Sequence, residues 1–331
     1  MKDARIALIM LAAWAPPPGA AAAPDAGPER IPTVIVTDIG NDIDDSWAIA
    51  LALRSAELDL KLVVTDPYDT QYRGAVAAKL LESAGRADVP VGIGDNHGPT
   101  GDDNKTLAPW IAGYDVSKYP GRVYPDGVGA LIDVVEKSPR PVTIVEIGPV
   151  WSLALALGRA PDIAAKCRFV GMFGSFDAGY DGKPPSAEFN VKVNPAGFRA
   201  VLSAPWRDIL ITPLDTCGRV SLAGERYHAI WSATSDPLLR ALIASYCVFA
   251  PRQNWMACDF FPTRSTTLFD CVAVYLAYSE ELVETEAIRF EVTDNGFTRR
   301  SAAGPFRARV AIRWRNRDGF EAQLAGRLLG R

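Results

Sequence analysis

Short apolar runs recur along the chain, separated by stretches with helical patterning. The strand-like runs are TVIV (33–36), LKLVV (60–64), VPVGI (89–93), VTIVEI (142–147), RFVGM (168–172) and DILIT (208–212). Helix-like stretches lie at 44–54, 71–85, 128–137 and 195–203. Uniformly apolar strands are buried on both faces, and helices between them imply parallel β-α-β units. The pattern predicts an α/β fold: a single domain with a mostly parallel central sheet flanked by helices. Residues 221–283 read as mainly helical. The tail adds IRFEVT (288–293), RARVAIRW (307–314) and an amphipathic helix near 317–329. Residues 94–127 are polar and rich in Gly, Asp and Pro, and read as a long excursion over the mouth of a site. No internal repeat or linker divides the chain.

The amino terminus has a different pattern. Lys2 and Arg5 lead into IALIMLAAWA (6–15), followed by prolines and GAAAAPDAG. A basic start, a short apolar run and small residues are the features of a secretory signal, and the run is too short to span a bilayer. The expected organisation is a signal peptide at 1–23, a flexible leader at 24–31 and a catalytic domain at 32–331, in an exported protein, periplasmic or secreted.

Composition narrows the partners. The formal charge is −4 and the pI is near 5.4. No basic run interleaved with aromatics occurs, so a nucleic-acid partner is not expected, nor a membrane partner once the signal is cleaved. The five cysteines, Cys167, Cys217, Cys247, Cys258 and Cys271, form no CxxC pair, which argues against zinc. Most read as buried small apolar residues. GxGxxG and GxxxxGK[ST] are absent, so neither dinucleotide nor P-loop binding is supported.

The chemistry concentrates at VIVTDIGNDIDDSWAIALAL (34–53). Four aspartates, Asp38, Asp42, Asp44 and Asp45, fall in one turn between an apolar strand and an apolar helix. Such charge repels itself unless a cation, water or N–H donors absorb it. The carboxyl end of a buried strand is also where open α/β sheets keep their ligands. The turn therefore reads as a site for a hard divalent cation. Calcium takes about six to eight oxygen ligands, so other strand ends must contribute. The turn after VTIVEI offers the carbonyls of Ile147 and Gly148. Asp270, opening the apolar run of TTLFDCVAVYLAY, is either a ligand or a carboxylate capping its own helix. An EF-hand is excluded: counted from Asp38, positions six and twelve hold Ile43 and Ile49; counted from Asp42, Trp47 and Leu53. An aspartyl phosphatase would need a second acid where Gly40 stands. In PPSAEFNVKVNPAGFRAV (184–201), Glu188 and Asn190 are two residues apart. An extended backbone would point both the same way, toward sugar hydroxyls or simply into a surface loop.

Four segments in order resemble the inosine-uridine-preferring nucleoside hydrolase family: DIGNDIDD, VTIVEIGPVWSLALAL, AEFNVKVNP and LFDCVAVYLA, within roughly 31–329. The first is similar to the family's aspartate motif in a variant two residues longer. The resemblance implies a calcium site made by Asp38, Asp45, the Ile147 carbonyl and Asp270. It implies that Asp44, Glu188 and Asn190 hold the ribose, with Asp69 near the family's ribose-binding asparagine and Trp255 in the region of a mobile aromatic lid. Homo-oligomers are frequent in the family. The chain departs from the pattern at Val36, where an Asp is common, and near Gly182, where an Asn falls. It departs also at Phe269, where purine-type members place the histidine that protonates the leaving base. Phe269 can stack on a base but cannot donate a proton, and neither His97 nor His228 lies in a matching motif.

The expected activity is calcium-dependent hydrolysis of the N-glycosidic bond of a ribonucleoside or related N-riboside, with Asp38 as general base. Two rivals remain at this point: a nucleoside-binding pseudoenzyme that keeps the metal pocket, and a metal-dependent phosphatase of another α/β class.

Overall fold

The computed structural model describes residues 29–96, 105–253, 258 and 260–331. Among these, ten strands form one sheet: β1 (Ile31–Thr37), β2 (Leu58–Thr65), β3 (Val91–Gly92), β4 (Val123–Tyr124), β5 (Val142–Glu146), β6 (Cys167–Met172), β7 (Asp208–Thr212), β8 (Val283–Val292), β9 (Thr298–Arg300) and β10 (Phe306–Trp314). Their order is β4-β3-β2-β1-β5-β6-β7-β10-β8-β9. Pairing is parallel from β4 across to β10, and antiparallel at β10–β8 and β8–β9. This is the single α/β domain that the apolar runs predict. The strand β1 begins at Ile31, one residue inside the segment expected as leader. The residues expected as signal peptide lie outside the described residues.

The helices are α1 (Asp44–Leu53), α2 (Thr70–Ser83), α3 (Gly127–Lys137), α4 (Trp151–Arg159), α5 (Phe189–Val193), α6 (Pro195–Ser203), α7 (Leu214–Cys217), α8 (Gly224–Ser232), α9 (Pro237–Phe249), α10 (Phe269–Tyr278) and α11 (Arg317–Leu328). They cover both faces of the sheet. Alternate residues of β1 show why: Ile35 belongs to the same apolar cluster as Trp47, Val76, Leu242, Val274 and Leu324 on one face. Val34 and Val36 pack with Leu131, Leu153 and Phe198 on the other. Among the described residues, no helix is long and apolar enough to cross a membrane.

Two features of the sheet position the site. The chain runs outward from β1 to β2 on one side, and β5 joins the opposite side of β1. The carboxyl ends of β1 and β5 therefore flank a topological switch point, the crevice where doubly wound sheets bind ligands. The helices α1 and α10 are buried on nearly every face and pack against each other. Helices that are apolar all round belong inside a core, and here the core brings two helix N-termini to the crevice.

The described part of the excursion at 94–127 does not line the cavity. Instead, Thr106 donates to the carbonyls of Gly40 (2.9 Å) and Asn41 (2.7 Å), so the segment braces the acidic turn from outside.

Candidate active site

The acidic turn is built by its backbone. Gly40 has φ +103°, and a Cβ there would lie 2.8 Å from Tyr72 Cε1. Only glycine combines that conformation with that approach. The Tyr72 hydroxyl donates to the Gly40 carbonyl at 2.8 Å. Arg73, 0% exposed, donates through Nη1 to the carbonyls of Asp38 and Ile39 and through Nε to Pro67 (2.7 Å). A buried guanidinium thus satisfies three loop carbonyls that water cannot reach.

The turn delivers Asp44 and Asp45 to the first turn of α1, and the chain delivers Asp270 to the first turn of α10. One oxygen from each of the three lies within 4.8 Å of the others. Neither helix has a side-chain cap. Their leading N–H groups and dipoles favour negative charge at this point. The Asp270 N–H donates to Asp44 Oδ2 at 3.3 Å, and the Thr37 hydroxyl donates to Asp45 Oδ1. Asp38 lines the same cavity, as does Ile147 at the end of β5. The switch point thus gathers three oxygen-bearing segments: 38–45, 147 and 270.

These carboxylates are 2–7% exposed, and burial dominates their protonation. It pushes Asp38 up to about 7, against the lowering pull of Arg73 and with the repulsion of Asp44. Burial raises Asp44 to about 6. Asp45 and Asp270 are pushed well up by burial and by one another's neighbours Asp38 and Asp44. Buried acids so placed need a counter-charge to ionise. The donor set is all oxygen, which suits a hard divalent cation rather than zinc. The residues present therefore fit a metal ion.

The opposite wall carries Glu188 and Asn190. They are not on an extended strand. Glu188 is the N-cap of α5, and its carboxylate accepts from the N–H groups of Asn190 (2.7 Å), Val191 (3.2 Å) and Gly174 (3.0 Å). Burial nonetheless raises Glu188 to about 7. Asn190 Nδ2 donates to the Met172 carbonyl at 3.1 Å and approaches the Ile147 carbonyl at 3.4 Å. Both residues still reach the cavity, because the cap turns them inward together. Phe269, the first residue of α10, meets Tyr180 edge to face at 5.9 Å, and both line the cavity. The cavity measures about 1080 Å³, room for a nucleoside and water.

One expectation falls elsewhere. Asp69 is not among the cavity-lining residues. Its carboxylate caps α2, accepting from Tyr72 N at 2.9 Å, and pairs with Lys105. The competing demand is the open helix end, which a carboxylate satisfies locally. Trp255 lies outside the described residues, as does His97. Conversely, the sequence reading passes over Asp66 and Arg73. Asp66 caps α4 through Trp151 N (2.8 Å) and Ser152 N (2.6 Å), anchoring the turn that carries Ile147. A carboxylate ending a buried strand and an arginine in the apolar run of α2 are the signals that mark them.

The fold and the cavity define an α/β protein with a carboxylate-built pocket, suited to a cation, at its switch point. Comparison with known proteins specifies the class. Residues 33–321 match the model of the inosine-uridine preferring nucleoside hydrolases. An uncharacterized protein of Schizosaccharomyces pombe is 30% identical over 213 residues, covering 58% of this chain and 64% of that one. The non-specific ribonucleoside hydrolase RihC of Escherichia coli is 28% identical over 232 residues, covering 61% of this chain and 72% of RihC. The structure of an inosine-uridine preferring nucleoside hydrolase from Bacillus anthracis superposes with a TM-score of 0.71 at 20% identity, over 90% of this chain and all of that one. This chain belongs to the inosine-uridine preferring nucleoside hydrolase family, and so to the hydrolases of N-glycosyl compounds.

Proposed function

We propose that the protein is a calcium-dependent hydrolase of a ribonucleoside or related N-riboside, releasing ribose and base. The observation that carries this reading is the convergence of Asp44, Asp45 and Asp270 within 4.8 Å, in one cavity with Asp38, Glu188 and Asn190. Asp38, Asp45, Asp270 and the Ile147 carbonyl would hold the cation, with Asp44 beside them. When bound there, the ion supplies positive charge that grips vicinal hydroxyls and acidifies water. Asp44, Glu188 and Asn190 orient the sugar. Asp38 takes the proton of the attacking water. The positive charge that develops on the sugar ring faces the carboxylates of the cavity floor. The aromatic pair Tyr180 and Phe269 offers a stacking wall for a planar base.

The test is a panel of ribosides assayed for free ribose, with and without a chelator. Ribose release that a chelator abolishes and calcium restores is expected. Release indifferent to the chelator overturns calcium dependence, and no release from any riboside overturns the function. We also propose export to the periplasm or beyond, on the pattern of Lys2, Arg5 and the apolar run 6–15.

A further inference from the structure

The cavity has an acidic floor and a basic rim. Lys183, Arg219 and Arg264 all line it. Two of these cations have local partners: Lys183 faces Asp181 at 3.9 Å, and Arg264 lies over the Phe260 ring at 4.1 Å. Arg219 makes no hydrogen bond or ion pair with any described residue. It is exposed, and it lies against the backbone of Gly182. Its guanidinium fills the space where a Cβ on Gly182 would be, with Nη2 only 1.8 Å and Cζ 2.5 Å from that point. Gly182 has φ +72°, so glycine suits the backbone as well. Gly182 ends the short turn Tyr180–Gly182, and Tyr180 is the ring that meets Phe269. Arg219 therefore stands beside the aromatic wall. It also borders a small neighbouring cleft that contains Asp215 and Asp318.

The aromatic wall offers no ready acid. Phe269 carries none, and burial raises the Tyr180 hydroxyl far above its ordinary range. Departure of a base breaks the bond from C1′ to the base nitrogen and leaves the electron pair, and hence negative charge, on the base.

We propose that Arg219 is a leaving-group residue: its guanidinium meets the negative charge that develops on the departing base. This rests on the function proposed above. Water forms the new bond to C1′ and gives its proton to Asp38. Arg219, always charged, donates hydrogen bonds but not its proton. The base takes its proton from solvent as it leaves, and Asp38 returns its own to solvent. A cation standing beside developing negative charge is an arrangement that electrostatic stabilisation uses.

The experiment compares the cation-loaded wild type with Arg219→Ala, Arg219→Lys and Gly182→Ala. Substrates are inosine, uridine and 4-nitrophenyl riboside, whose leaving group is already stable as an anion. Arg219→Ala should lower kcat on inosine and uridine by about 10- to 100-fold, and by at least tenfold less on the nitrophenyl riboside. Added guanidinium ion should restore inosine turnover in Arg219→Ala. Arg219→Lys should lie between, and Gly182→Ala, which displaces the guanidinium without removing it, should follow Arg219→Ala in direction. Equal losses on all three substrates would make Arg219 merely structural and overturn the proposal. So would a defect seen only as a raised KM with kcat unchanged, which would make Arg219 a binding group alone. A wild type that cleaves none of the three substrates refutes the proposed function instead.

Discussion

The backbone N–H of Asp270 donates to the carboxylate of Asp44 at 3.3 Å, across 226 positions of sequence. Each residue sits in the first turn of an apolar helix, and the two helices pack together in the core. Packing of α1 on α10 therefore sets the distance between the carboxylates. At that distance, burial and mutual repulsion oppose full ionisation, and a bound proton or a cation must relieve it. Cation and protons thus compete for one pocket.

This competition fixes how stability responds to pH. Burial raises Asp38 and Glu188 to about 7, and Asp44 and Asp66 to about 6, from ordinary values of 3.8 for aspartate and 4.5 for glutamate. The unfolded chain loses these protons near pH 4, while the folded chain keeps them to between 6 and 7. The stabilisation from the protonated form is complete below the unfolded values and fades as pH rises through 6 to 7. Without a divalent cation, the protein should melt at a higher temperature at pH 5.5 than at pH 8. Saturating calcium should raise the melting temperature more at pH 8 than at pH 5.5. Thermal melts in chelator and in calcium check both, and a chelated protein insensitive to pH over this range contradicts them.

Asp38→Asn keeps the shape of the side chain and removes the base. Turnover should fall by about 10²- to 10⁴-fold, the usual worth of a positioned general base. Ribose release under saturating calcium measures it. A near-normal rate would assign the proton to another group, with Glu188 the first to test.

Much of this architecture is legible in the apolar pattern. Strands β1, β2, β5, β6 and β7 are largely apolar and mostly buried, and they announce themselves. The strands β4 and β9 escape notice because they are two and three residues long and only partly buried. Glu188 and Asn190 read as extended because spacing alone cannot show that a carboxylate will cap the helix beginning after it. Asp38, Asp44, Asp45 and Asp270 stand out by charge in apolar surroundings. Arg73 and Arg219 do not, since their roles depend on which carbonyls or cavity the packing brings to them.

Phe269 makes a prediction about substrate preference. The residue meets Tyr180 edge to face beside the cavity and cannot donate a proton to a base. Ribosides with a good leaving group should therefore be cleaved faster than inosine. Steady-state kcat/KM for 4-nitrophenyl riboside and inosine under matched conditions decides the point. Equal or faster cleavage of inosine would require an acid elsewhere in the cavity. Phe269→His should narrow the difference by speeding inosine alone.

Arg73 should prove the principal support of the acidic turn. It is fully buried, holds the carbonyls of Asp38, Ile39 and Pro67, and its charge offsets the penalty that burial imposes on the ionised forms of Asp38, Asp45 and Asp66. Arg73→Met retains the stem but strands three carbonyls and removes the cation from an acidic neighbourhood. Breaking a buried charge arrangement costs about 3–5 kcal/mol, and the same loss is expected here. Denaturant unfolding of the chelated protein measures it at pH 8, where the carboxylates most need a counter-charge. Calcium should recover part of the deficit in Arg73→Met, because the ion offsets the same negative charge. It should not recover all of it, since the stranded carbonyls lie behind the turn and out of the ion's reach. A variant as stable as the wild type in chelator would show that the turn keeps its shape without the guanidinium.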